Sequence, residues 1–246
     1  MFQVSDKLYP FESHWLDIDG NRMHYLDEGP RDAPIVLMVH GNPTWSFYYR
    51  NLVLALRDRY RCIVPDHIGC GLSDKPSDEE YSYTLSQRIS DLAALMDKVG
   101  PEGPVHMIVH DWGGMIGFGW AVDRPARIAS MVVANTAAFP MPPDKKLPAA
   151  LKLVRNTRLG ATLVRGMNAF SGLAAHVAFK KPVSKEIRDA YTGPYDSWRN
   201  RIATLRFVQD IPLDPEDHGY AIVQSTELRL NRFSGKPCLI AWGAVS

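Results

Sequence analysis

Cysteine is scarce and scattered: Cys62, Cys70 and Cys238 are the only three, with no Cys-x-x-Cys spacing. That odd set excludes a disulfide framework and a thiolate zinc site, leaving ordinary or buried thiols. Of the eight histidines only His106 and His110 are spaced His-x-x-x-His, and they lie along an apolar strand pattern that sets them roughly 13 Å apart, so no metal is implied. Charge of one sign is also lacking. There are 28 basic and 27 acidic residues, a net charge of +1, and no long run of like charge. Nucleic acid and anionic membranes are therefore not indicated as partners. No apolar stretch is long enough to cross a bilayer, and the first thirty residues carry acids but no apolar leader core. The expected address is cytoplasmic. What the chain does have is apolar content, 46% of its residues. At this length roughly 70 to 75% of the unfolded surface can be buried, enough for one sizeable core.

Residues His14 to Ile18 and Met23 to Leu26 alternate around Asp19-Gly20-Asn21, which predicts a hairpin with a tight turn. Apolar runs and helical patterns then take turns. A strand at Ile35 to Val39 leads to a helix from about Thr44 to Leu56, and Cys62 to Pro65 reads as the next strand. Thr84 with Gln87 makes a capping box, and Leu85, Ile89, Leu92, Met96 and Val99 recur on one helical face. Strands Val105 to Val109 and Ile128 to Ala134 flank a helical segment from Met115 to Val122. Continuous apolar strands separated by helices mean a parallel sheet covered on both faces. From Ala137 to about Pro212 the pattern is helical, including Leu147 to Val154 and Trp198 to Phe207, with no convincing strand. A helix at Asp217 to Arg229 and a strand at Pro237 to Trp242 follow. The division expected is a core over 1–136, a helical lid over 137–212, and the core continued over 213–246. The lid's Leu, Met, Phe and Trp suit an apolar pocket, although most of them could equally pack lid to core.

The most informative stretch is Val109-His110-Asp111-Trp112-Gly113-Gly114. A strand before it and a helix after it put Asp111 on a sharp turn, the geometry of a nucleophile elbow. There the helix dipole and unpartnered backbone N-H groups favour an ionised carboxylate. Gly113 and Gly114 let strand and helix pass closely. A helix N-cap is the competing explanation of Asp111 taken alone. The strand at Ile35 to Val39 ends in His40-Gly41-Asn42-Pro43-Thr44-Trp45-Ser46, where such a sheet places its oxyanion loop. A side-chain N-H of Asn42 and the indole N-H of Trp112 would jointly hold a leaving anion. A turn-forming Asn and a core Trp are the alternatives.

These two motifs, together with Asp66-His67-Ile68-Gly69-Cys70-Gly71-Leu72-Ser73-Asp74-Lys75-Pro76, resemble the haloalkane dehalogenase branch of the α/β-hydrolase superfamily. The wording of His40 to Ser46 and of Asp66 to Pro76 is closest to the dehalogenase-like β-lactone decarboxylases of bacterial long-chain olefin biosynthesis. The resemblance runs over nearly the whole chain. It implies an α/β-hydrolase fold with a helical cap, Asp111 as nucleophile, Asn42 and Trp112 as the anion-stabilising pair, and no cofactor. The substrate implied is an apolar small molecule, either a haloalkane or a long-chain β-lactone released as alkene and CO2. An epoxide hydrolase is the second enzyme reading; it would take Tyr donors from the lid, with Tyr191 and Tyr195 as candidates. His40, His110 and Trp45 join these tyrosines as candidate pocket-lining residues.

Turnover of an ester on Asp111 by hydrolysis needs a His to activate water and an acid to orient it. In this superfamily the acid commonly follows the strand ending in Trp-Gly, here Trp242-Gly243-Ala244-Val245-Ser246, and Ser246 stands about where that Asp would be. The alternative place after Val133-Ala134 holds Asn135 and Thr136, which are not carboxylates. His218 precedes the last strand, and His40 and His110 read as loop-orienting. The expectation is therefore a chain lacking the final strand, final helix, catalytic acid and His, with a truncated or binding-only α/β-hydrolase as the rival of another class.

Overall fold

The computed structural model describes residues 2–100 and 102–243. Strands β1 (His14–Ile18) and β2 (Asn21–Glu28) form the hairpin, with Asp19 and Gly20 both at positive φ in its two-residue turn. That backbone twist is the one a tight hairpin requires. Strands β3 (Ile35–Val39), β4 (Arg61–Pro65), β5 (Val105–Asp111), β6 (Ile128–Thr136) and β7 (Cys238–Ala241) complete a seven-stranded sheet in the order β1-β2-β4-β3-β5-β6-β7. The β1/β2 and β2/β4 pairs are antiparallel, and every other pair is parallel.

Period-two alternation sorts the central strands between two cores. Ile35, Leu37 and Val39 of β3 and Ile63 of β4 enter one cluster with Met107 and Val109 of β5. Val36, Met38, Cys62 and Val64 enter the opposite one. Helices cover both faces. The first cluster takes α2 (Leu85–Val99) through Leu85, Leu92 and Met96, and α3 (Trp112–Ala121) through Ile116 and Trp120. The second takes α1 (Arg50–Leu56) through Val53, with Trp45, Phe47 and Tyr49 from the turn before it. At roughly 1.5 to 3 kcal/mol for each large apolar side chain buried, these two layers dominate the stability of the sheet.

Thr84 caps α2 as its spacing predicts, accepting from the Gln87 N–H. The Gln87 side-chain amide donates to Asp91 at 2.9 Å. The helix expected from Thr44 starts as a 3-10 turn at Ser46–Tyr49 and becomes α-helical only at Arg50. Between β6 and the helix α9 (Tyr220–Arg229) the chain carries α4 (Ala149–Asn156), α5 (Arg158–Met167), α6 (Ser171–Val177), α7 (Lys185–Thr192) and α8 (Ile202–Gln209), with no strand among the described residues. Among the described residues no helix is long and apolar enough to cross a membrane.

Candidate active site

The end of β5 turns directly into α3 at Asp111, whose φ of 54° and ψ of −129° lie outside the basins an L-residue prefers. Such a conformation costs on the order of 1 to 3 kcal/mol and persists only where the surroundings impose it. Three features impose it here. The Thr136 hydroxyl, at the end of the adjacent strand β6, donates to the Asp111 carbonyl. A Cβ on Gly113 would lie 2.0 Å from the Val39 carbonyl oxygen, and one on Gly114 1.9 Å from Thr136 Oγ1, so only glycine lets α3 start this close to the sheet. The Asp111 carboxylate is not a helix cap; it makes no capping hydrogen bond and points away from α3.

Instead Asp111 Oδ1 accepts the backbone N–H of Asn42 at 2.7 Å. Gly41 makes room for that approach, since a Cβ there would sit 2.1 Å from the same oxygen. The backbone donor of Asn42 is thus committed to the carboxylate, and what is left to meet an anion is its side-chain amide. Asn42 Nδ2 donates one hydrogen to the Thr204 carbonyl of α8 at 3.0 Å, while its buried Oδ1 has no partner. Trp112 lies next to Asp111, buried, with its ring edge-on to Phe207 at 5.2 Å. No acceptor among the described residues takes its indole N–H.

A cavity of about 300 Å³ opens in front of Asp111. Its walls are Pro43, Tyr48 and His110 from the core and, from α6 with its flanking residues and from α7, mainly Phe170, Ala174, Ala178, Phe179 and Tyr191. His110 stacks on Tyr48 with ring centroids 4.6 Å apart, and its Nδ1 is buried without a partner. Burial pushes the His110 pKa down against the pull of Asp111, so the ring is neutral at pH 7.

The remaining sequence candidates stand elsewhere. His40 is fully buried, with Nδ1 on the Gly41 carbonyl at 2.8 Å and Nε2 accepting the His67 N–H at 3.1 Å, so it orients the loop. Trp45 is a core side chain, stacked on Phe47 with its indole donating to the Ala190 carbonyl. Tyr195 is buried beside Thr44, to whose carbonyl its hydroxyl donates. Tyr191 reaches the cavity, but its hydroxyl accepts from Arg50 at 3.3 Å. The paired lid tyrosines that an epoxide hydrolase would use are therefore not brought together. Asn135 accepts the Gly243 N–H at 2.9 Å, and Thr136 serves the elbow. Ser246, the position expected for a catalytic acid, lies outside the described residues.

Sequence reasoning missed Tyr48, the α6 wall and a support under the oxyanion loop. Buried Asp66 accepts the Ser46 N–H at 2.6 Å, the Leu72 N–H at 2.9 Å and His24 Nδ1 at 2.9 Å, so one carboxylate joins both motif loops to β2. Burial alone would raise its pKa, but His24, His40 and the Leu72 N–H outweigh it and bring it to about 2. An acidic residue amid two glycine motifs was the available signal.

Residues 34–244 match the α/β-hydrolase fold family. The chain is 56% identical to a cis-3-alkyl-4-alkyloxetan-2-one decarboxylase of Shewanella oneidensis, over 97% of this chain and 74% of that protein. Identity to the protein of the same name in Xanthomonas campestris pv. campestris is 48%, over 96% and 80%. Its fold superposes on a loop variant of the haloalkane dehalogenase DbeA from Bradyrhizobium elkanii with a TM-score of 0.80, at 26% identity, covering 95% of this chain and 80% of that one. The chain belongs to the α/β-hydrolase family, in the branch that holds the oxetanone decarboxylases and the haloalkane dehalogenases.

Proposed function

We propose that this chain is an enzyme that opens an apolar electrophile by displacement, with Asp111 as nucleophile and a cis-3,4-dialkyl oxetan-2-one as substrate. The observation that carries the reading is the Asp111 carboxylate, pinned by the Asn42 N–H at 2.7 Å and facing a mostly apolar cavity. A carboxylate is already ionised at neutral pH, so attack needs no base. Attack at the ring carbon bearing oxygen breaks the C–O bond and frees the substrate carboxylate. The second Asn42 amide hydrogen and the Trp112 indole N–H meet that charge.

The ester so formed can leave without water. The electron pair of the C–CO2 bond becomes the alkene double bond, CO2 departs, and Asp111 leaves as its original carboxylate. A haloalkane is the second reading, supported by the fold shared with DbeA. Its alkyl ester has no CO2 to lose and must be hydrolysed, which calls for a base.

Turnover in ¹⁸O-labelled water separates the two. With a cis-3,4-dialkyl oxetan-2-one the expected result is alkene and CO2, with no label in the Asp111 carboxylate. A labelled hydroxy acid in place of alkene would overturn the decarboxylase reading. Bromide release from a 1-bromoalkane with label entering Asp111 would support the dehalogenase.

A further inference from the structure

We propose that Arg88 is a positioning residue for the anion site, a fixed buried cation behind Trp112 that strengthens the indole as a donor to the departing group. The inference rests on the reading of Asn42 and Trp112 as the anion-stabilising pair. Arg88 projects from α2 into the core, with a side chain 0% exposed. A buried guanidinium is expected to have its five N–H groups taken. Here only Nη1 is hydrogen-bonded, to the Tyr83 carbonyl at 2.6 Å, and Nε and Nη2 have no partner.

Its counter-charge is weak. Asp210, at the end of α8, approaches only to 3.6 Å, beyond hydrogen-bond distance, and its Oδ2 is itself unpartnered. Burial raises the Asp210 pKa to about 6, against the pull of Arg88. Asp91, one turn along α2, is engaged by Tyr81 and Gln87. At pH 7 Asp210 is still mostly ionised, so Arg88 has a counter-charge, but one held out of hydrogen-bond contact inside a low-dielectric core.

Its position gives that charge a use. The guanidinium carbon lies 3.8 Å over the Phe207 ring and 5.9 Å from the Trp112 ring centroid. Phe207 packs edge-on to Trp112, and the same helix, α8, holds Asn42 through the Thr204 carbonyl. Arg88 thus clamps the layer that sets both donors. A cation against an indole face draws on the ring's electron density and favours negative charge at its N–H edge.

The test measures bromide affinity by tryptophan fluorescence, with Trp112→Phe identifying the Trp112 signal, alongside kcat and KM for the oxetanone. Arg88→Met keeps the length and removes the charge, and about tenfold weaker bromide binding with reduced kcat and little change in KM is expected. Arg88→Lys should recover most of both. Asp210→Asn removes the counter-charge and should tighten bromide binding severalfold. A merely structural role predicts weaker binding in both Arg88→Met and Asp210→Asn, and that result overturns the proposal, as does unchanged affinity in folded Arg88→Met. If Arg88→Met does not fold, the Asp210→Asn direction decides: unchanged or weaker binding overturns it. Absence of any Trp112-dependent bromide response in the wild-type chain would instead remove the anion pair itself.

Discussion

Asp111 keeps its strained conformation because its neighbours hold it there. Gly41 on one side and Gly113 and Gly114 on the other supply space, and Thr136 and Asn42 supply the hydrogen bonds that hold backbone and carboxylate. Below the same loop, Asp66 ties Ser46, Leu72 and His24 together, and its stability contribution has a defined pH dependence. Its folded pKa, about 2, lies below the ordinary carboxylate range near 4, so the ionised form is favoured by folding. The contribution is fully present above that range and is lost as pH falls toward 2; two units correspond to about 2 to 3 kcal/mol. Asp66→Asn should therefore lower stability at pH 7 by about that amount, and chemical denaturation across pH should show the gap to wild type closing below pH 4. An equal gap at pH 7 and pH 3 would show that charge is not what Asp66 contributes. At this scale the sequence motifs identify which residues matter but not where they face. Trp45 and Tyr195 share motif and lid with residues that reach the cavity, yet packing turns both into the core.

Among the elements, strands were the most legible, because alternation and continuous apolar runs reflect burial directly. The hairpin, β3 and β4 fall within a residue or a few of their expected bounds. Helix α3 was less so. Its start at Trp112, three residues before the expected Met115, is concealed by Gly113 and Gly114, which disfavour helix intrinsically and are kept for their close approach to the sheet. The wall formed by α6 was not legible either, since Ala174 and Ala178 carry no chemical signature and gain meaning only by facing Asp111 across the cavity. They set how much space a substrate chain has. Ala174→Phe should fill part of that space, raising KM for long-chain oxetanones by about tenfold or more while kcat for the shortest substrate and the thermal midpoint stay near wild type. Steady-state kinetics over a chain-length series checks this. A uniform fall in kcat across the series would mean α6 supports the catalytic geometry instead of bounding the pocket.

On the scale of the whole molecule, one sheet brings the ends of β3, β5 and β6 together, and those three ends deliver Asn42, Asp111 and Thr136. Parallel order places these ends side by side, and it is why three segments far apart in the chain can meet. The helices between β6 and α9 add the apolar wall and, through Thr204 and Phe207 of α8, contact the side chains of Asn42 and Trp112. The proposed function requires the Asp111 carboxylate to form a bond to substrate carbon. Rapid quenching of the chain with a 1-bromoalkane and with a cis-3,4-dialkyl oxetan-2-one, followed by intact mass and peptide mapping, tests it most directly. The expected result is a mass gain of the alkyl group, or of the opened lactone, on the peptide carrying Asp111, and no such gain in Asp111→Asn. An equal gain in Asp111→Asn, or a gain mapped to any other residue, would contradict it.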